Sequence, residues 1–164
     1  MCKVNFFEDK YIREVYKNDL EFGLCDDGSL AYSNISDQDS WIATVINNEK
    51  KDILFTPVDH NIIVKVDGDE LSQCDGMLTL KEGHKLIFVE LKIGQKGWIQ
   101  EALEQLKSTI CLFKKNHSID IYSLRLAYAV NRRHPSFQYS KKNDMLEFKN
   151  ETGFRLLIQA NINI

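Results

Sequence analysis

The clearest hydrophobic pattern lies in the middle of the chain. Two apolar runs, Cys74–Leu80 and Lys85–Lys92, flank the segment Lys81-Glu82-Gly83-His84, which is typical of a tight turn between antiparallel strands. The second run is rich in the β-branched and aromatic residues that central strands favour. After a glycine-containing loop, Trp98–Lys115 places its apolar side chains on one arc at about 100° per residue. This region therefore predicts a β-hairpin followed by an amphipathic helix.

Weaker patterns precede this region. We expect a short helix around Asp9–Asn18 and a clearer one over Asp37–Asn48, where apolar residues recur on one helical face. Two apolar runs then predict strands at Ile53–Thr56 and Ile62–Val66, with a turn between them.

The C-terminal third predicts a return to strands. We expect a strand at Ile121–Val130 and a final hairpin formed by Met145–Phe148 and Phe154–Ile158. The whole order predicts an α/β fold in which helices flank a mixed central β-sheet. The sequence has no Pro/Ser-rich linker and no internal repeat, so we expect one domain over residues 1–164 with a core near residues 37–130.

Composition narrows the class of protein. The chain is 43% hydrophobic and 27% charged, which is typical of globular domains and excludes a disordered or fibrous chain. No apolar run approaches the roughly 18 residues that cross a bilayer, and acidic residues follow the start, so we expect a cytoplasmic location without membrane contact. The four cysteines (Cys2, Cys25, Cys74 and Cys111) and four histidines lack metal-site spacing, and we expect free thiols.

Charge is divided unevenly along the chain. Residues 1–89 carry 9 Lys/Arg against 17 Asp/Glu, whereas residues 90–164 carry 12 against 7, for a net charge of −3. Basic residues of the second half could follow a phosphate backbone or could be ordinary solvated surface. They are Lys96, Lys107, Lys114, Lys115, Arg132, Arg133, Lys141 and Lys142.

The central hairpin brings two acids together. If Leu80 faces Lys85 across the turn, Asp75 lies directly opposite Glu90. Two carboxylates at that separation repel each other, and a shared proton or a bound cation would offset the repulsion.

A lysine joins this pair. Side chains alternate along a strand, so Glu90 and Lys92 project from the same face. Carboxylates beside an ammonium group suit a Mg²⁺ site that acts on a phosphate, because Mg²⁺ prefers a few carboxylates, waters and phosphate oxygens. Glu-x-Lys also recurs by chance, and a register shift of one residue would separate the acids. An exposed strand end without catalytic chemistry therefore stays open as the alternative.

Cys74-Asp75-Gly76 followed by Val89-Glu90-Leu91-Lys92 and a helix resembles the PD-(D/E)xK nuclease superfamily, which has the restriction-endonuclease-like fold with an αβββαβ core. The resemblance implies that Asp75, Glu90 and the backbone carbonyl of Leu91 are metal ligands and that Lys92 is the catalytic lysine. It also assigns a catalytic role to Gln105 on the following helix.

The chain departs from the family pattern at three places. Cys74 replaces the proline of the motif, and Thr109 lies where one variant of the family has tyrosine. An acid from the first helix is not identifiable, and Asp39 and Glu49 are weak candidates. These departures leave the subfamily open.

The resemblance implies a nuclease that uses Mg²⁺ or Mn²⁺ to hydrolyse phosphodiester bonds in nucleic acid, with DNA favoured as the substrate. A homodimer or a separate targeting protein could help to hold the substrate, and bacterial defence or repair is the implied setting. The alternative is a catalytically inactive module of the same fold that binds nucleic acid or a protein partner.

Overall fold

The computed structural model of the protein describes residues 3–94, 96–133 and 142–164. In these ranges the chain forms two larger β-sheets, a two-stranded ribbon, two α-helices and a 3-10 helix at Gln38–Ser40. The strands in chain order are β1 (Glu21–Cys25), β2 (Tyr32–Asn34), β3 (Ala43–Ile46), β4 (Ile53–Pro57), β5 (Lys65–Val66), β6 (Asp69–Glu70), β7 (Gly76–Leu80), β8 (Lys85–Lys92), β9 (Leu124–Asn131), β10 (Arg155–Ile158) and β11 (Asn161–Asn163). The helices are α1 (Trp98–Asn116) and α2 (Lys142–Thr152).

The larger sheet is mixed and has five strands in the order β10-β9-β8-β7-β4. Strands β4, β7 and β8 pair antiparallel, whereas β8, β9 and β10 pair parallel. Helix α1 makes the crossover from β8 to β9, since parallel neighbours need a long connection. The smaller sheet has the order β11-β3-β1-β2.

The two faces of the larger sheet bury different apolar clusters. One face packs against α1 and α2 through residues such as Met77, Phe88, Phe113 and Phe148. The other face packs against the smaller sheet, with Phe22 and other small-sheet residues in contact with the opposite side of β7 and β8. Glu90 and Lys92 have the same parity as Phe88 in β8, so they project from the helix face.

The predicted α/β class and mixed sheet are confirmed. The central hairpin and the long helix lie within a residue or two of their predicted bounds, and strands are present at Ile53–Pro57, Leu124–Asn131 and Arg155–Ile158. The strand that we expected at Ile62–Val66 is reduced to the short β5.

The helix predicted over Asp37–Asn48 was wrong. This segment contains the 3-10 helix and β3, which pairs antiparallel with β1 through four residue pairs, including Phe22↔Val45. The run Ala43–Ile46 alternates buried and half-buried positions, which is the period of a strand. Pairing with β1 and burial of Val45 outweigh the helical spacing of its apolar residues. The larger sheet therefore has helices on one face and a second sheet on the other.

The short helix predicted around Asp9–Asn18 was also wrong. The chain there is extended beside β4, and the backbone groups of Lys17 and Ile53 bond to each other at 2.8 and 2.9 Å. This segment covers part of an edge strand, which would otherwise present unpaired backbone groups.

The prediction of a final hairpin was wrong for its first strand. Met145–Phe148 lies inside α2, which buries Phe148 and Thr152 one turn apart, and Gly153 ends the helix with a φ of +80°. β10 then joins β9 in parallel pairing.

The structure also bears on the cysteines and on membrane-spanning segments. Cys25, Cys74 and Cys111 are free thiols. Among the helices described, none has the length and apolar content needed to span a bilayer. The predictions for Cys2, His134 and Lys141 lie outside the described residues.

Candidate active site

The register of the central hairpin is the one that the sequence predicts. Gly76 pairs with Val89, Met77 with Phe88, and Thr79 with Leu86. Asp75 is one residue beyond the last pair, where this register places it opposite Glu90. Both acids have the parity of the helix-facing residues, so the sheet and α1 enclose them together.

Asp75 lies immediately before β7 and is held by backbone groups. Its side chain is 8% exposed, and its Oδ2 accepts a hydrogen bond of 2.7 Å from the backbone N–H of Leu91. Its own backbone carbonyl accepts from the N–H of Val58 at 2.8 Å. The carboxyl group is therefore fixed on both sides by backbone groups and points across the hairpin towards β8.

Glu90 is the most deeply buried acid of the cluster, with 2% of its surface exposed. Its Oε1 lies 3.3 Å from Nζ of Lys92, whereas its Oε2 has no hydrogen-bond partner among the described residues. Burial, together with the charge of Asp75, raises the pKa of Glu90 to about 10 in spite of Lys92. Burial likewise raises the pKa of Asp75 to about 7, and the hydrogen bond from Leu91 opposes that rise.

Lys92 is held by three side chains. Its Nζ donates to Oε1 of Gln105 at 2.7 Å and lies 3.0 Å from Oε1 of Glu101, in addition to its contact with Glu90. Burial lowers the pKa of Lys92, but the charges and hydrogen bonds of Glu90 and Glu101 raise it above its ordinary value. The ammonium group is therefore positively charged and fixed in direction.

Helix α1 is fastened to the strand end beside the site. The Oγ1 of buried Thr109 accepts from the backbone N–H of Cys74 at 2.7 Å and donates to the carbonyl of Gln105 at 3.0 Å. The bond between Thr109 and Cys74 fixes the position of α1 along its axis relative to β7. Gln105, one turn before Thr109, is thereby directed at Lys92. Gln105 and Thr109 thus both face the strand ends that carry the site.

The predicted site residues Asp75, Glu90, Leu91, Lys92 and Gln105 all line one cleft of about 460 Å³. The two candidates for an additional acid do not lie in it. Asp39 is exposed in the 3-10 helix, and exposed Glu49 forms an ion pair with Lys51 at 3.3 Å.

Four further acids that sequence reasoning missed line the same cleft: Asp26, Asp27, Asp59 and Glu101. Asp26 and Asp27 lie in the β1–β2 loop, and Asp59 follows β4. They come from segments far apart in the chain, and only the tertiary packing brings them together. The signal available for Asp26 was its position directly after the apolar strand Glu21–Cys25, in a turn-forming Asp-Asp-Gly-Ser segment.

The donor set of the cleft suits a hard divalent cation. Two buried carboxyl groups converge, and one oxygen of Glu90 has no donor within the part of the chain that the structure describes. Within the described ranges, no group of three or more His, Cys, Asp or Glu side chains is placed to hold one metal ion. A cation at Asp75 and Glu90 would therefore take its other ligands from backbone carbonyls such as that of Leu91 and from water, as Mg²⁺ commonly does.

No protein-family model matches this chain, and comparisons with curated proteins and with solved structures find no match.

Proposed function

We propose that the protein is a nuclease that hydrolyses phosphodiester bonds in nucleic acid with the help of Mg²⁺ or Mn²⁺, and that DNA is the favoured substrate. The observation that carries this proposal is the buried pair of Asp75 and Glu90 with Lys92 beside it. Burying two adjacent carboxyl groups is costly unless a shared proton or a bound cation compensates them, and among the described residues Lys92 alone leaves one oxygen of Glu90 without a partner.

The resemblance to PD-(D/E)xK nucleases supports the proposal through the order of the secondary-structure elements and the positions of the motif residues. Apart from the short ribbon β5–β6, which lies between β4 and β7, the order β4, β7, β8, α1 and β9 is compatible with the strand-strand-strand-helix-strand part of that core and supports the proposal. Asp75 lies at the start of β7, Glu90 and Lys92 near the end of β8, and Gln105 on α1. The helix that should precede these strands is absent from its predicted place at residues 37–48.

Each residue has a role that its contacts support. Asp75 and Glu90 would hold the cation, which when bound lowers the pKa of an attacking water and polarises the scissile phosphate. The Lys92 ammonium group would stabilise negative charge that develops on the phosphate. Gln105 and Glu101 keep that ammonium group in place, so that little reorganisation is needed during the reaction.

The test is cleavage of labelled duplex DNA, single-stranded DNA and RNA by the purified protein with Mg²⁺, with Mn²⁺ or with EDTA. We expect cleavage of DNA that EDTA abolishes. The variants Asp75→Asn, Glu90→Gln and Lys92→Met should each lower the rate at least about 100-fold, because each removes a group needed in the transition state.

Matched controls separate this loss from general damage. Glu49→Gln and Lys81→Met make the same chemical changes at exposed positions outside the cleft, and we expect wild-type rates from both. Cleavage in EDTA, or full activity in any of the three site variants, would contradict the proposal. Nucleic-acid binding with no cleavage under any metal would favour the inactive module instead.

The location and partners follow the same proposal. A cytoplasmic nuclease with a net charge of −3 has no overall electrostatic attraction to a polyanion. A second copy of the chain or a separate targeting protein would then strengthen its hold on the substrate, in a setting such as bacterial defence or repair.

A further inference from the structure

Along the edge of the larger sheet that carries the cleft, the strand order places acidic residues on one side and basic residues on the other. Asp59 follows the end of β4, Asp75 precedes β7, and Glu90 lies near the end of β8. On the other side of β8, Arg132 and Arg133 directly follow the end of β9. The edge therefore changes from acidic at β4 to basic at β9.

The two arginines lie next to Lys92 because β8 and β9 run parallel. Lys92 pairs with Asn131, and the backbone N–H of Arg132 donates to the Lys92 carbonyl at 2.9 Å. The guanidinium group of Arg132 also donates to the carbonyl of Asp39. This bond joins the residue after β9 to the 3-10 helix, which lies close in sequence to Ile42 in the lining of the cleft.

Asn131 fixes the two loops that leave these strands. Its buried Oδ1 accepts from the backbone N–H of Gly94 at 2.9 Å and from that of Arg133 at 3.0 Å. Gly94 has a φ of +54°, and a Cβ at that position would overlap the side chain of Arg133. The side chain of Arg133 therefore packs over Gly94 in the loop that follows Lys92. The bonds from Asn131 hold both loops in fixed positions beside the cleft.

These cations are not neutralised by the rest of the described chain. Lys96, Arg132 and Arg133 are exposed, and none of them forms an ion pair with a carboxylate of the described residues. Lys107 on α1 differs, since it forms an ion pair with Glu151 at 3.0 Å.

We infer that Arg132 and Arg133 form a phosphate track, on which the backbone of a polynucleotide enters the cleft over the ends of β8 and β9. This inference rests on the proposed nuclease function and adds the direction from which the substrate arrives. The acidic side of the cleft, at Asp26, Asp27 and Asp59, repels phosphates, so the chain of phosphates runs over the arginines to reach Lys92. The track reads no base sequence, because phosphate contacts position a substrate without specifying it.

The test compares a long substrate with one too short to reach the track. Binding of a labelled DNA duplex is measured in EDTA over a range of KCl concentrations, and cleavage with Mn²⁺ is measured for the duplex and for bis(p-nitrophenyl) phosphate. For the double variant Arg132→Ala/Arg133→Ala we expect binding at least about tenfold weaker and a salt slope smaller by about 1.8, the value for two lost phosphate contacts. Cleavage of the duplex should fall at least tenfold more than cleavage of the small diester.

Two further double variants control for charge and for folding. Arg132→Lys/Arg133→Lys keeps both charges and should retain most of the binding. Lys107→Ala/Lys114→Ala removes two charges from α1 and should leave the salt slope unchanged.

The inference is overturned by any of three results: no DNA binding by the wild type, an unchanged salt slope in the alanine double variant, or equal losses on the two substrates. Failure of the proposed function gives a different pattern. Neither substrate would then be cleaved with any metal, while the arginine variants would still weaken DNA binding.

Discussion

At the scale of single residues, Glu90 is the most informative side chain of the molecule. It lies in a strand between the apolar residues Val89 and Leu91, with one oxygen near Lys92 and the other without a partner in residues 3–94, 96–133 and 142–164. A residue that served only to stabilise the fold could be replaced there by an apolar one, often with no loss of stability. The cost of burying this carboxyl group is therefore an argument for a role in binding or catalysis.

The first prediction concerns stability and pH. The pKa of Glu90 is raised from 4.5 to about 10 in the folded protein. The stability that the protonated Glu90 side chain contributes is therefore fully present below pH 4.5 and is lost as the pH rises towards 10. Glu90→Gln removes this loss. In EDTA at pH 8 we expect the variant to be more stable than the wild type by at least about 1 kcal/mol, or roughly 2–4 °C in Tm.

Thermal unfolding between pH 5 and pH 9 checks this prediction. The difference in Tm between the Glu90→Gln variant and the wild type should grow with pH. A difference that stays constant or shrinks with rising pH would contradict the assigned direction of the pKa shift.

The second prediction concerns the residue that positions Lys92. Gln105→Leu removes the 2.7 Å hydrogen bond to the ammonium group while keeping the apolar stem. We expect kcat for DNA to fall by roughly tenfold with little change in KM, because the loss concerns the orientation of a catalytic group. Gln100→Leu, on the exposed face of the same helix, should keep the wild-type kcat. Similar kinetics in the two variants would argue against a positioning role.

At the scale of secondary-structure elements, the contact between α1 and the start of β7 sets the geometry of the site. Thr109 joins them through the backbone N–H of Cys74, and this bond is buried. A helix shifted by even part of a turn would carry Gln105 and Glu101 away from Lys92.

The third prediction tests this junction. Thr109→Val keeps the shape of the side chain but leaves the N–H of Cys74 without an acceptor, and we expect a loss of about 1–3 kcal/mol in the free energy of unfolding. Thr109→Ser keeps the hydroxyl group, so its cost should be clearly smaller. Urea unfolding measures both, and equal costs for valine and serine would mean that the methyl group, not the hydrogen bond, matters at this position.

The elements around the site could be predicted because their information is local. The turn Lys81–His84 fixes the register of the hairpin, and the register alone brings Asp75 opposite Glu90. The period of Trp98–Asn116 likewise places Gln105 at the edge of the buried arc. These features depend on spacing within one continuous segment.

The elements that sequence reasoning missed depend on distant partners. Residues 43–46 form a strand because β1 and β11 pair with them on both sides. The turn-like residues before Gly153 belong to a helix because Phe148 packs into the core with Phe113 and Phe154. Asp26 and Asp59 reach the cleft only after both sheets have assembled, and no pattern in the local sequence predicts that they lie close together.

At the scale of the whole molecule, the larger sheet is a partition between two apolar clusters. The cluster on the α1 side supports the site, and the cluster on the other side holds the smaller sheet, whose β1–β2 loop contributes Asp26 and Asp27 to the cleft. The cleft is thus complete only when both layers are assembled.

The fourth prediction follows from this arrangement. Ile162 on β11 is fully buried in the cluster between the sheets, so Ile162→Ala should cost about 2–5 kcal/mol of unfolding free energy. The loss should occur in a single transition with an unchanged m value, because the two layers unfold together. Ile121→Ala, at a position that is 66% exposed, is the matched control and should change little. A separate early transition in Ile162→Ala would show that the smaller sheet unfolds on its own.

The central claim is that Asp75 and Glu90 together bind a divalent cation, and a crystal of the protein soaked in Mn²⁺ tests it most directly. Anomalous scattering identifies the metal without any assumption about the reaction. The account predicts one peak about 2 Å from oxygens of Asp75 and Glu90, with the Leu91 carbonyl as a further ligand, and no such peak in Asp75→Asn. A cleft without a peak, or Mn²⁺ bound at exposed acids such as Asp27 instead, would contradict it.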